Sequence, residues 1–290
     1  MQSLSSGLSV AIIRCINSEG INHLMPRQEK HRVALLRFLM PLMDRRAASE
    51  FFLGDFAVTA ARTHKDAAEQ ELMRASSAAN DAVMADAIKL VHEGVTEREI
   101  ADQMLGLYRK HDCEGFSFPP IVSFGANAGD PHHEPDDTVL KRGDVVLFDI
   151  GGRHRNYCSD MTRTVFLGQP SQKMRDAYAA IRSANEQVEA VLKPGVTGKA
   201  MHELAERALA DAGFADKMGH SLGHGVGIDI HEQPALSPRN EQPLVPGNVV
   251  TVEPGIYLPG EFGMRLEDFG VITPDGFEVF TRSTHDPVIL

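Results

Sequence analysis

Residues 143–149 read Gly-Asp-Val-Val-Leu-Phe-Asp, and residues 247–253 read Gly-Asn-Val-Val-Thr-Val-Glu. Each is a short apolar and β-branched run behind a turn glycine, so each predicts a strand. Each closes on a carboxylate followed by a Gly-containing turn. A related match lies upstream: Gly94-Val95-Thr96 opens one polar-apolar run, and Gly195-Val196-Thr197 opens another. Thr96 and Thr197 are placed to cap helices with their hydroxyls. Glu99, three residues after Thr96, completes a capping box,. Longer helical patterns precede both, from about residue 66 to 92 and from about 173 to 192,. A second strand pattern follows each first strand, at residues 161–167 and 270–273. Each half therefore reads helix, helix, strand, strand. Two such halves predict an α/β fold whose strands form a pseudo-symmetric sheet with helices on one side.

The bulk properties narrow the classes of function. The chain has 290 residues and a formal net charge of −11. That acidity, with no Lys/Arg-rich run, argues against nucleic-acid binding. Apolar residues make up 42% and charged residues 24%, ordinary for a globular protein,. No uncharged apolar run approaches the ~18 residues of a membrane span. Three cysteines, Cys15, Cys113 and Cys158, without a CxxC pair, argue against a disulfide framework or a thiolate zinc site,. The mildly apolar patch at residues 8–13 lacks a basic flank and a small-residue cleavage site, so a cytoplasmic protein is expected,. Residues 1–63 lie outside the repeat and are expected to be an abbreviated leader, helical at residues 33–43. Residues 64–290 are expected to form the working domain.

Carboxylates mark where the chemistry lies. Asp149 and Glu253 close matched strands, and Asp160 and Glu267 follow them by 11 and 14 residues. A carboxylate in an apolar strand is costly unless it is paired, hydrogen-bonded or bound to a metal. One alone reads as a strand cap; four at matched positions, with histidines between them, read as a metal site. The histidines are His220, His224 and His231, in a stretch punctuated by Gly219, Gly223, Gly225 and Gly227. Their spacing is not that of a zinc-protease helix. His132 and His133 form another pair ahead of the first strand. An oxygen-rich set of this kind suits Mn²⁺, with Co²⁺ and Fe²⁺ as alternatives. It has the bridging capacity for two ions, which together activate water for hydrolysis.

The ordered motifs DIG at Asp149, SDMTRT at Asp160, GHGVG at His224, EPGIY at Glu253 and RLED at Glu267 carry a resemblance. From about residue 64 onward the chain resembles the creatinase, aminopeptidase P and prolidase metallopeptidases of peptidase family M24. The resemblance implies the pita-bread fold, a duplicated α/β (α+β) unit around a curved antiparallel sheet. It implies two divalent ions, Mn²⁺ first, with Co²⁺, Fe²⁺ or Zn²⁺ as alternatives. Asp149 would chelate one ion, His224 and Glu253 the other, and Asp160 and Glu267 would bridge them.

His132, His220 and His231 fall at the positions of the family's site-lining histidines, and Arg265 at that of an arginine that orients ligands. A bridging hydroxide would then attack the scissile carbonyl, with Glu253 as general base and acid. His231 would stabilise the oxyanion; His132 and His220 would position the substrate. The bond implied is Xaa-Pro in a small peptide, cleaved by a dipeptidase or an aminopeptidase P, and a homodimer is within the family's range. Many relatives carry Arg just after the HExP proline, where this chain has Ala235; Arg239 is the candidate to take over that carboxylate-binding role. Methionine aminopeptidases share the five-ligand set, but HGVGIDIHEQP and SDMTRT favour the proline-specific branch. The remaining alternatives are a same-fold hydrolase of small amides or amidines, and a non-catalytic binding module. Cys158 reads as a small buried strand residue rather than a nucleophile.

Overall fold

The computed structural model describes residues 55–290. Phe56–Leu290 form one compact unit. The helix expected at residues 33–43 lies outside the described residues, as does Cys15. The helices are α1 (Asp55–Thr63), α2 (Ala67–Ile88), α3 (Glu97–Lys110), α4 (Gln172–Val191) and α5 (Gly198–Asp211). The strands of the first half are β1 (Gly115–Phe116), β2 (Ile121–Phe124), β3 (Val145–Ile150), β4 (Gly152–His154), β5 (Tyr157–Cys158) and β6 (Met161–Phe166). Those of the second are β7 (Gly223–Gly225), β8 (Glu232–Leu236), β9 (Val249–Val252), β10 (Gly255–Leu258), β11 (Phe262–Arg265), β12 (Asp268–Ile272), β13 (Phe277–Val279) and β14 (Val288–Ile289). No helix among the described residues is long and apolar enough to cross a membrane.

The helices start where the capping residues predict. Thr96 accepts the Glu99 N–H while the Glu99 carboxylate accepts the Thr96 N–H, closing the box,. Thr197 accepts from the Ala200 N–H. Helix α2 ends at Ile88, four residues short of the expected stop at 92. The chain there tightens into turns, with Leu90 N–H bonded to Ala87 O and Val91 N–H to Ile88 O,.

The duplication holds at the level of single hydrogen bonds. Gly94 N–H donates to Leu140 O at 3.0 Å, and Gly195 N–H to Leu244 O at 2.9 Å. Leu140 N–H returns to Val95 O, and Leu244 N–H to Val196 O, both at 2.8 Å. Gly94 and Gly195 share a left-handed φ, of 89° and 92°, which glycine adopts without a Cβ clash,. Each half builds its own larger sheet, in the orders β14-β6-β3-β2 and β13-β12-β9-β7-β8. Pairing is antiparallel except for β14 on β6. The two sheets are tied at their centre, where Glu267 N–H donates to Thr162 O at 3.1 Å and the Thr164 hydroxyl to Arg265 O at 3.0 Å.

The helices cover the sheets through apolar faces. Met84, Ile100, Met104 and Tyr108 of α2 and α3 pack on Val146, Phe148 and Ile150 of β3. Ile181 and Ala184 of α4 and Leu209 of α5 join Val145, Leu147 and Met264. Residues of β3 thus face helices of both halves in alternation, as the two-residue period of a strand requires. Strands β3, β6, β9 and β12 are buried along their whole length. Their ends point the carboxylates toward one another.

Candidate metal centre

Asp149 is the penultimate residue of β3, Asp160 precedes β6, Glu253 follows β9 and Glu267 precedes β12. His224 is the middle residue of β7, where Gly223 and Gly225 let neighbouring backbone close in. A Cβ on Gly223 would stand 2.1 Å from Thr251 O, so a larger residue would push this strand off β9. Ligand atoms of Asp160, His224 and Glu267 all lie within 4.8 Å of one another. His224 Nε2 is 3.4 Å from both an Asp160 oxygen and a Glu253 oxygen. Arg265 connects Asp149 to the rest: it donates to the Asp149 carboxylate, to Thr162 Oγ1 at 2.9 Å and to the Tyr257 hydroxyl at 2.5 Å.

The electrostatics of the cluster are those of a site short of positive charge. Burial pushes the Asp160 carboxyl up to about 7, and the charges of Asp149 and Glu253 add to the effect,. Burial likewise raises Glu253, and it raises Glu267 well above its usual value with help from Asp160, Glu253 and Asp149. Burial pulls His224 down, but the hydrogen bond to Asp160 and the Glu253 and Asp160 charges outweigh it, lifting the imidazole to about 9. Asp149 Oδ1 is buried with no hydrogen-bond partner, an arrangement that native interiors rarely leave uncompensated. Divalent cations fit this donor set: they neutralise the crowded carboxylates and give the orphaned oxygen a partner.

A second group, Glu97, His133 and Asp136, also offers ligand atoms within 4.8 Å of one another. It belongs to the segment before β3, apart from the five converging side chains.

The accessory histidines differ in their surroundings. His231 packs edge-to-face on His224, with ring centroids 4.4 Å apart. His220 Nδ1 lies 2.7 Å from Ser221 O and therefore carries the proton,. His220 Nε2 then accepts from the Tyr257 hydroxyl at 3.1 Å. Burial depresses this imidazole to about 4, and the neighbouring Arg265 and His132 add to it, so His220 is neutral near pH 7. The structure thus ties His220 into the Tyr257 and Arg265 chain that holds Asp149. His132 is exposed and lines a cavity of about 540 Å³ with Phe116, Pro119 and Pro120. Arg239 is exposed and lines a different cavity, of about 610 Å³, together with His220 and His202.

Tyr257 and Thr162 are not legible as site residues in the sequence. Tyr257 closes the quoted EPGIY motif but reads as an apolar strand residue. Thr162 reads as a β-branched filler, yet its hydroxyl accepts from Arg265 Nε and donates to Glu267 at 2.6 Å. Cys158 is buried, and burial pushes its thiol up to about 11, which leaves it unreactive near neutral pH,.

Residues 71–274 match the model of metallopeptidase family M24. The chain is 37% identical over 229 residues to an uncharacterized peptidase, YqhT, of Bacillus subtilis, covering 79% of this chain and 65% of that protein. It is also 37% identical to a Xaa-Pro dipeptidase of Lactobacillus delbrueckii subsp. lactis, covering 77% of this chain and 61% of that one. The chain therefore spans just under two thirds of the length of these two relatives. Among solved structures it superposes on an X-Pro aminopeptidase from Thermotoga maritima with a TM-score of 0.84 at 34% identity, covering 88% of this chain and 72% of the other. A prolidase from Pyrococcus furiosus superposes with a TM-score of 0.78 at 35% identity, covering 79% and 68%.

Proposed function

The chain belongs to metallopeptidase family M24, in its Xaa-Pro dipeptidase and aminopeptidase P branch, and from that premise we propose that it hydrolyses Xaa-Pro peptide bonds. The observation that carries this reading is the cluster of Asp160, His224 and Glu267 ligand atoms within 4.8 Å of one another, with Glu253 beside His224 and with Asp149, whose Oδ1 is buried without a partner, near enough for its charge to act on Asp160. These five residues would hold two divalent ions, with Mn²⁺ the best match to a set of four carboxylates and one imidazole; Co²⁺, Fe²⁺ and Zn²⁺ are the alternatives. When bound, the ions supply Lewis acidity and lower the pKa of water.

The chain's own residues do the rest. The Glu253 carboxylate, oriented by the Thr251 hydroxyl at 3.1 Å, takes the proton of the attacking water and passes it to the leaving nitrogen,. Arg265 holds Asp149, and the neutral His220 braces Arg265 through Tyr257. His231, edge-to-face against His224, faces the developing oxyanion,. His132 receives the substrate from its cavity on one side, and Arg239 offers a cation to a dipeptide's terminal carboxylate in the other cavity,.

The test is a panel of Gly-Pro, Ala-Pro, longer Xaa-Pro peptides and non-proline controls with Mn²⁺, Co²⁺ and Zn²⁺. Hydrolysis of none overturns the reading. Arg239→Ala should raise KM for dipeptides and leave longer peptides unchanged; an equal effect on both removes Arg239 from the carboxylate site.

A further inference from the structure

Helix α3 begins with a carboxylate that the metal centre does not use. Glu97 is its first residue and is fully buried. One carboxylate oxygen accepts the Phe124 N–H at 2.7 Å and the Asn127 side-chain N–H at 3.1 Å. The other accepts the Asp136 N–H at 3.1 Å and lies 2.7 Å from His133 Nε2. Two oxygens offer about four lone-pair positions, and four donors already fill them. Glu97 therefore acts as a clasp here, although it stands close enough to His133 and Asp136 to suggest a cation site. All four donors come from residues 124–136, the segment that carries His132.

The repeat supplies a control for what this carboxylate is needed for. Position 97 corresponds to position 198, which is glycine. The backbone there runs the same way: Arg98 N–H donates to Asp136 O at 3.0 Å, and Lys199 N–H to Asn240 O at 2.8 Å. In the second copy the loop packs directly against the helix start, and a Cβ on Gly198 would stand 2.2 Å from Ala235 O. The scaffold can therefore form its helix start and loop return without a carboxylate. Glu97 is a feature of the first copy alone. It sits where the chain detours through the 3₁₀ turn Gly125–Gly129 toward His132.

We propose that Glu97 is a positioning residue, which clasps residues 124–136 through His133 and the Phe124, Asn127 and Asp136 donors and so fixes where His132 stands in its cavity. The proposal rests on the reading of His132 as a substrate-side histidine. Glu97→Gln keeps the size of the side chain but turns one acceptor into a donor facing the Asp136 N–H. Amide hydrogen exchange on the metal-free protein reads the clasp without any turnover. In E97Q, exchange within residues 124–136 should rise at least tenfold, while residues 219–225 and 249–253 keep their protection. His133→Ala, which removes one donor and no backbone bond, should loosen the same segment less.

On Xaa-Pro substrate, E97Q should lower kcat at least tenfold with unchanged metal stoichiometry. In a His132→Ala background the same change should add less than twofold. Unchanged exchange at residues 124–136 overturns the proposal, as does full multiplicativity with His132→Ala. Loss of protection throughout the unit in E97Q also overturns it, since the carboxylate would then be a general fold element. If the unsubstituted protein cleaves no proline peptide, the proposed activity fails, while hydrogen exchange still decides the clasp.

Discussion

Replacing Glu267 by glutamine should make the metal-free protein more stable, although it removes a residue of the proposed metal site. Glu267 is 2% exposed, and the Thr162 hydroxyl donates to it at 2.6 Å. In the unfolded chain its carboxyl titrates near the usual 4.5; in the folded chain burial and three neighbouring carboxylates hold it well above that. At pH 7.5, folding must therefore either protonate the group or bury its charge. Protonating it across three pH units costs about 4 kcal/mol at 1.36 kcal/mol per unit. Keeping it charged within 4.8 Å of a charged Asp160 costs at least about 3.5 kcal/mol at an effective dielectric constant of about 20.

Both routes give nearly the same figure, and glutamine avoids both while retaining an oxygen for Thr162. The sign follows from linkage: the folded state binds more protons, so wild-type stability falls as pH rises from 4.5 through the raised folded value. Metal-free E267Q should therefore melt roughly 6–16 °C above wild type at pH 7.5, with little difference at pH 5. Scanning calorimetry of chelated samples at the two pH values provides the measurement. A metal-free E267Q no more stable than wild type at pH 7.5, or equally stabilised at pH 5, would refute the reasoning.

Three other outcomes follow from the same interior. Mn²⁺ at about a hundredfold above its Kd should stabilise the chelated wild type by about 2.7 kcal/mol and leave E267Q almost unmoved; thermal melts with and without chelator check this, and equal shifts in both would count against the ligand assignment. Lys65, 2% exposed, donates to one Glu232 oxygen at 2.9 Å, one residue after His231, while Arg62 holds the other oxygen; Lys65→Met should cost about 1.5–3 kcal/mol, the range of one hydrogen bond to a charged group, since Arg62 still pairs the carboxylate, and a melt within a degree of wild type would dismiss the pair. Glu189 is pushed up to about 8 by burial and by the Asp268 charge, and its Oε1 is buried without a partner. Its stabilising proton is present at pH 5 and lost as pH rises toward 8, so the advantage of Glu189→Gln in chemical denaturation should grow over that window; an advantage independent of pH would exclude Glu189 as the titrating group.

Much of this was legible because strand patterns and carboxylates are local signals. Val145 to Asp149 announces its strand and its proposed ligand within one run, and the matching run to Glu253 gives the duplication. The glycines around His224 announce a close backbone approach, although its partner, Thr251, shows only in the fold. What stayed hidden depends on long-range approach. Tyr257 reads as apolar until Arg265 and His220 are placed on its hydroxyl. Glu97 reads as an ordinary first-turn acid of a helix, favoured there by the helix dipole, until a segment 27–39 residues away folds over it. Lys65 is one of many lysines until it is found buried against Glu232, across 167 residues of sequence.

The two halves also show where function departs from symmetry. Backbone hydrogen bonds repeat between Gly94 and Gly195 and between Arg98 and Lys199, so both copies obey the same folding constraints. Their site side chains do not repeat. The first copy contributes two aspartates and the second two glutamates, each one methylene longer. Among the five proposed ligands the imidazole comes from β7, whereas the corresponding strand β2 reads Ile-Val-Ser-Phe and carries no titratable group. A symmetric pair of halves would give two ions the same surroundings. Here His224 and Glu253 enrich one side, and Arg265 engages Asp149 on the other. The two ion positions should therefore differ in affinity, with the first equivalent of metal going to the side that holds the imidazole.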